Sequence, residues 1–160
     1  MVDRLSRARA AAACVVDPEI PVLTIEDLGI LRDVRLDGDT VEIAITPTYT
    51  GCPAMNLIAL DIETAVAAAG IEPVRVRLVM SPAWTTDWMS QTGRQKLQEY
   101  GIAPPPPGSG RRALFGEPHV TCPRCGSTKT ETISEFGSTA CKSLHRCLDC
   151  REPFDAFKCH

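Results

Sequence analysis

The sequence has no apolar run near the roughly 20 residues that a membrane span requires, and its first residues lack the long apolar stretch of a signal peptide. Aromatic residues make up only 5% of the 160 residues, and 17 Lys and Arg face 20 Asp and Glu, for a net charge of −3. Such a chain offers nucleic acid little electrostatic attraction and few rings on which bases can stack. We therefore expect a cytoplasmic protein whose partners include neither a membrane nor a nucleic acid.

Histidine is also scarce. The chain has three histidines, and the first of them stands at position 119. A Cys–His catalytic pair in the N-terminal part would need a base from the far end of the chain. The sequence has no Glu-x-x-His pair typical of di-iron helix bundles, and no Gly-rich loop for a flavin or nicotinamide. These absences favour a protein that is not an enzyme.

Cysteine, in contrast, is abundant and unevenly placed, with six of the eight residues lying between positions 122 and 160. In a reducing compartment such cysteines are metal ligands or reactive thiols more often than disulfides. Cys122 and Cys125 form one C-x-x-C pair, and Cys147 and Cys150 form a second pair after 21 intervening residues. This spacing predicts a zinc ribbon with a structural Zn²⁺, although four thiolates also suit iron or an iron-sulfur cluster.

Two further cysteines, Cys141 and Cys159, leave the ligand set of this segment open. Either could replace a ligand or contribute to a second site that binds a cofactor, and His119, His145 and the terminal His160 stand near them in the sequence. A zinc ribbon that binds a nucleic acid or a protein remains an alternative function for the segment.

A run of four prolines followed by glycines indicates a linker at residues 103–118, between a module at 1–102 and a zinc-ribbon-like module at 119–160. Composition and alternation predict an α-β-β-α-β-α order, and hence an α+β fold, in the first module. The predicted helices cover 3–15, 53–69 and 87–100, the last capped by Thr86 or Asp87, and the predicted strands cover 30–36, 41–45 and 74–80.

Cys52 lies between a predicted strand and the predicted helix that begins at Pro53. Unpaired N–H groups and the helix dipole at such a position favour a thiolate, so we expect a lowered pKa and a reactive thiol. Asp17 and Glu19 provide two carboxylates that serve either as polar site groups or as turn caps. Cys14 falls on the apolar side of the first helix, where we expect it to pack in the core.

Three motifs in the first module resemble a known family: Asp17–Pro21, Asp27–Ile30 and Thr46–Pro53. Together they are similar to the domain shared by SufT and the cytosolic iron-sulfur targeting factors of eukaryotes. The resemblance implies a role in assembling or delivering iron centres. It makes Cys52 the reactive thiol, accompanied by Asp17, Glu19 and Thr50, and implies transient binding of iron or an iron-sulfur cluster.

Nearly the entire chain resembles the PaaD/PaaJ family, an accessory component of bacterial phenylacetyl-CoA epoxidase. The motifs that support this are Ser81–Ser90, Cys122–Gly126, Phe136–Lys142 and Glu152–Cys159. The resemblance implies a non-catalytic accessory or maturation subunit in aerobic phenylacetate degradation. Its partners would be other epoxidase subunits, the reductase of the complex, or iron-sulfur assembly proteins. A thiol-dependent enzyme that uses Cys52 is the alternative.

Overall fold

The computed structural model describes residues 3–105 and 120–158. The chain divides into two compact units, Met1–Trp84 and Thr85–His160. The elements are α1 (Arg4–Ala13), α2 (Ile25–Leu28), β1 (Leu31–Asp37), β2 (Thr40–Ile45), α3 (Ala54–Ala68), β3 (Val74–Leu78), a 3₁₀ turn (Thr86–Trp88), α4 (Gln91–Tyr100), β4 (Ile102–Ala103), β5 (Thr130–Ser134), β6 (Lys142–Cys147) and β7 (Pro153–Phe157). In the described part of the chain, no helix is long and apolar enough to cross a bilayer.

The described strands of the first unit form a three-stranded sheet in the order β1-β2-β3. β1 and β2 pair as an antiparallel hairpin, and β3 runs parallel to β2 after the crossover through α3. Alternate residues of β2 point to one face, where Val41, Ile43 and Ile45 are fully buried. Ile58 and Ile62 of α3 are fully buried as well, so this unit has a well-developed hydrocarbon core.

The opposite face of this sheet carries a buried carboxylate beneath three arginines. The side chain of Glu42 is 4% exposed and forms ion pairs with Arg35, Arg75 and Arg77. Hydrogen bonds from Arg75 and then Arg77 lower the pKa of Glu42 from 4.5 to about 2. The ionised carboxylate therefore links all three strands.

Helix α2 is a single turn that the composition did not predict. Thr24 Oγ1 accepts the backbone N–H of Asp27, and the Asp27 carboxylate accepts the N–H of Thr24, which forms a capping box. Leu28 is buried, and its carbonyl accepts the indole N–H of Trp84 at 2.7 Å. The short helix thus anchors the end of the first unit.

The second unit contains α4 and a described sheet in the order β4-β7-β6-β5. Leu97, Ile102 and Phe157 are buried in this unit. One of its apolar clusters includes two cysteines, with members Ala103, Cys122, Cys147, Phe154, Ala156 and the partly buried Val120. The predicted start of α4 was wrong, because Thr86 and Asp87 lie in a separate 3₁₀ turn and Ser90 caps the helix by accepting the N–H of Gly93 at 2.9 Å.

Unit boundaries also differ from the arrangement expected from the linker. Ile102 and Ala103 pair in parallel with Asp155 and Ala156 of β7, so the chain enters the second unit before the prolines. Helix α4 belongs to the same unit, although the sequence pattern had assigned it to the first module. Residues 106–118 of the expected linker lie outside the described ranges. The α+β class, with a Cys-rich β module after the first domain, is confirmed.

Candidate functional site

Four cysteines of the second unit converge on one point. The sulfur atoms of Cys122, Cys125, Cys147 and Cys150 all lie within 4.8 Å of one another. Cys122 and Cys147 are buried, whereas Cys125 and Cys150 are exposed. Among residues 3–105 and 120–158, these four are the one group of His, Cys, Asp and Glu side chains with metal-ligand geometry.

The spacing of these sulfurs fits a tetrahedral ion. A Zn–S bond of about 2.3 Å gives sulfur–sulfur edges of about 3.8 Å in a regular tetrahedron. Cys122 Sγ lies 3.8 Å from Cys150 Sγ, and Cys125 Sγ lies 3.5 Å from Cys147 Sγ. The donor set therefore fits Zn²⁺, and its four protein ligands would close the coordination sphere.

Cys147 and Cys150 differ in acidity before any ion binds. The backbone N–H of Cys150 and neighbouring groups lower the pKa of Cys147 to about 6. For Cys150, the backbone N–H of Glu152 lowers the pKa, but burial and the adjacent thiols outweigh it and raise the pKa to about 12. The Cys147 thiolate is thus available near neutral pH, whereas Cys150 loses its proton there only when a cation binds.

The other predicted ligands of this segment do not join the cluster. Cys141 is buried with its Sγ 3.1 Å from Thr139 Oγ1. His145 is buried and stacks on Phe154, and its Nε2 lies 2.7 Å from Ser143 Oγ. Both residues have packing roles in the described part of the unit. His119, Cys159 and His160 lie outside the described residues.

In the first unit, Cys52 stands at the start of α3 and is half-buried. The chain turns tightly at Gly51, just before Cys52, and the φ of Gly51 is 78°, in the left-handed region that favours glycine. The N–H of Cys52 donates to the carbonyl of Tyr49 at 3.3 Å, and the Cys52 carbonyl accepts the N–H of Met55 at 3.3 Å. Thr50 is exposed on the same loop. The thiol is therefore held at the carboxyl end of β2.

The acidic motif folds close to this thiol. Asp17 is buried, and its Oδ1 accepts the N–H groups of Glu19 and Ile20 at 2.7 and 3.0 Å. The carboxylates of Glu19 and Asp17 also act electrostatically on the Cys52 thiol. Asp17 thus serves as a turn cap, and the structure brings both carboxylates into the electrostatic neighbourhood of Cys52.

The expected lowering of the Cys52 pKa was wrong. Burial raises the pKa of this thiol, and the nearby carboxylates Glu19 and Asp17 raise it further. Hydrogen bonds from the backbone N–H of Ala54 and from the side chain of Tyr49 lower the pKa but do not compensate. Without a bound cation, Cys52 is therefore a protonated thiol at neutral pH.

Two residues of the segment between β2 and α3, Tyr49 and Thr46, were not singled out in the sequence. Tyr49 hydrogen-bonds the thiol, and only its position in the loop could have suggested this. Thr46 is buried at the end of β2, and its Oγ1 has no hydrogen-bond partner among the described residues. The prediction for Cys14 was also wrong, because this cysteine is exposed rather than packed.

Comparison with known proteins identifies the family. The model of the iron-sulfur cluster assembly protein family matches residues 6–78, and the model of the PaaD zinc beta ribbon domain matches residues 106–158. A relative from Escherichia coli (strain K12), provisionally named as the D component of 1,2-phenylacetyl-CoA epoxidase, is 54% identical over 91% of this chain and 87% of its own length. The chain belongs to the PaaD family.

Shorter relatives match slightly more than half of the chain. The Fe-S protein maturation auxiliary factor YitW of Bacillus subtilis (strain 168) is 38% identical over 52% of this chain and 82% of its own length. A solved structure from Bacillus anthracis, described as a domain of unknown function DUF59, has a TM-score of 0.55 and 27% identity. It covers 59% of this chain and 91% of its own chain. The two family models together show an iron-sulfur cluster assembly domain followed by a zinc ribbon domain.

Proposed function

We propose that this chain is a non-catalytic accessory subunit of a phenylacetyl-CoA epoxidase system. It handles iron or iron-sulfur clusters for the complex through Cys52. The observation that carries the proposal is the placement of a half-buried thiol at the start of α3, with Asp17 and Glu19 acting on it electrostatically. The name of the E. coli relative supports the epoxidase system, and the names of the shorter relatives support maturation.

The chemistry of this site suits a temporary ligand. A sulfur donor with carboxylate groups nearby suits iron as cargo, because carboxylates accept hard cations and thiolates accept softer ones. The raised pKa of Cys52 means that the thiol must lose its proton when a metal binds. Because a proton competes with the metal for the Cys52 sulfur, the metal binds less tightly, and weaker binding favours its release to a recipient.

The four-cysteine cluster has a different role in this proposal. Zn²⁺ bound by Cys122, Cys125, Cys147 and Cys150 would hold the second unit in its folded form. The apolar cluster around Cys122 and Cys147 has few members, so a bound ion would contribute much of the stability there. When bound, the ion supplies structural stability, and the folded unit supplies a surface for other subunits.

A genetic experiment tests the role of Cys52. In a strain whose only copy of the gene carries Cys52→Ser, we expect the purified epoxidase to contain less iron and to lose activity in proportion. Cys14→Ser is the matched control, since it removes the exposed cysteine of the same unit. Full iron content and activity with Cys52→Ser would refute the proposal.

A thiol enzyme that uses Cys52 is the less favoured function. The thiol is protonated at neutral pH because burial raises its pKa, so it lacks the activation that a nucleophile needs. Residues 1–118 contain no histidine to act as a neighbouring base.

Under the proposal, the chain works in the cytoplasm, with the epoxidase subunits and iron-sulfur assembly proteins as partners.

A further inference from the structure

Helix α3 has an uncharged outer face, which is unusual for a helix on the surface of a small domain. Its inner face packs in the core through Met55, Ile58, Ile62 and Val66. Apart from Asn56, the exposed positions on the other side follow one helical stripe, which we call the α3 stripe: Pro53, Leu57, Leu60, Thr64 and Ala68. None of these residues is charged, so water faces a largely apolar surface.

The two leucines contribute large exposed apolar side chains to the α3 stripe. Leu57 is 46% exposed and Leu60 is 58% exposed. Their spacing of three residues, with Pro53 four residues before Leu57, is the spacing that a partner helix contacts in a helix–helix interface. The stripe begins at the residue after Cys52, so a partner on it would reach the thiol.

Acidic residues at the edge of the α3 stripe favour a partner with a basic side chain. Helix α3 contains Asp61 and Glu63 but no Lys or Arg. An open depression of about 700 Å³ adjoins the stripe at Thr64 and is also lined by Glu63 and Glu72. Within the described ranges, neither glutamate carboxylate has an ion pair, and the Arg4 guanidinium donates to the backbone carbonyl of Glu72 at 2.8 Å. A basic side chain that enters the depression would find two carboxylates.

We propose that the α3 stripe binds an amphipathic helix of another phenylacetyl-CoA epoxidase subunit. The apolar side of that helix packs on Leu57 and Leu60, and a flanking Lys or Arg enters the depression beside Glu63. This inference rests on the proposed function, because docking there brings the recipient subunit to Cys52. It adds the surface and the kind of partner.

Binding measurements with the full chain and each of the other purified epoxidase subunits from the same organism test this surface. We expect one subunit to bind the wild-type chain, and Leu57→Glu or Leu60→Glu to weaken that binding by about tenfold or more. Glu63→Lys should also weaken it and reduce its salt dependence. Ile133→Glu is the control, because Ile133 is 53% exposed, much like Leu60, but lies on β5.

Circular dichroism and zinc content establish that each variant is folded. Unchanged affinity in both leucine variants would overturn the inference, and so would a wild-type chain that binds none of the subunits. A wild-type dimer that Leu60→Glu dissociates would also overturn it, since the occupant would be a second copy. Failure of the proposed function gives a different result: Leu60→Glu weakens binding, yet Cys52→Ser leaves the iron content of the epoxidase intact.

Discussion

The two units of this protein are stabilised by different kinds of interaction. The first buries a continuous set of branched aliphatic side chains between a three-stranded sheet and helices α1 and α3. In the second, the apolar cluster at the four-cysteine site has only a few members, and two of them are the metal-ligand candidates Cys122 and Cys147. A fold of the first kind is stable through hydrocarbon burial alone, whereas a fold of the second kind needs an ion to hold its loops together.

The largest predicted effect is the loss of the second unit on metal removal. Structural zinc contributes about 10–16 kcal/mol in zinc-finger peptides, which is more than a small cluster of side chains supplies. We expect a strong chelator, or Cys147→Ser, to abolish protection from hydrogen exchange across residues 120–158 and to leave β2 and α3 protected. Equal loss of protection in both units, or no loss in either, would contradict the comparison.

A core substitution should have the reverse effect. Ile43 is fully buried on the central strand β2, so Ile43→Ala should lower the free energy of unfolding of the first unit by about 2–5 kcal/mol. Zinc content should not change. Urea unfolding followed by hydrogen exchange measures this, with Leu36→Ala as the control because Leu36 is 49% exposed on β1. A variant with lost zinc would show that the units are not separate.

Acid should weaken the first unit through Glu42. Its pKa falls from 4.5 to about 2 on folding, so the ionised form stabilises the fold above about pH 4.5, and this contribution is lost as the pH falls towards 2. Glu42→Gln should therefore reduce the dependence of the unfolding free energy on pH in this window. Identical pH profiles of the wild type and the variant would exclude this role for the arginine cluster.

A helix cap provides the smallest predicted effect. Ser90 Oγ accepts the N–H of Gly93 at the start of α4, and Ser90→Ala should destabilise the second unit by about 1 kcal/mol. Denaturation of the zinc-loaded chain measures this difference. If Thr86→Ala destabilised the helix as a cap and Ser90→Ala did not, the start of α4 would have to be revised.

Local features of the fold followed from the sequence. The alternation of apolar residues predicted the strands at 30–36 and 41–45, which form the β1–β2 hairpin, and the two C-x-x-C pairs predicted the sulfur cluster. Helix α4 began later than expected because Thr86, Asp87 and Ser90 are all good capping residues, and spacing alone does not choose among them. Helix α2 was missed because a single turn has no periodicity, although Thr24 and Asp27 formed a readable capping box.

Features that depend on distant residues were harder to predict. Helix α4 belongs to the second unit because the two-residue strand β4 pairs with β7, some 50 positions later. The acidity of Cys52 was misjudged because the helix start was considered without its surroundings. Burial and the carboxylates of Asp17 and Glu19, which stand more than 30 positions earlier, determine the direction of the pKa shift.

We propose that the chain binds metal at two separate places, with a permanent ion in the second unit and transient iron at Cys52. The most direct test is the zinc content of anaerobically purified Cys52→Ser and Cys147→Ser chains, determined by mass spectrometry. We predict one zinc per chain in the wild type and in Cys52→Ser, and a loss of zinc in Cys147→Ser. Loss of zinc from Cys52→Ser, or iron and sulfide in place of zinc in the wild-type cluster, would contradict the account.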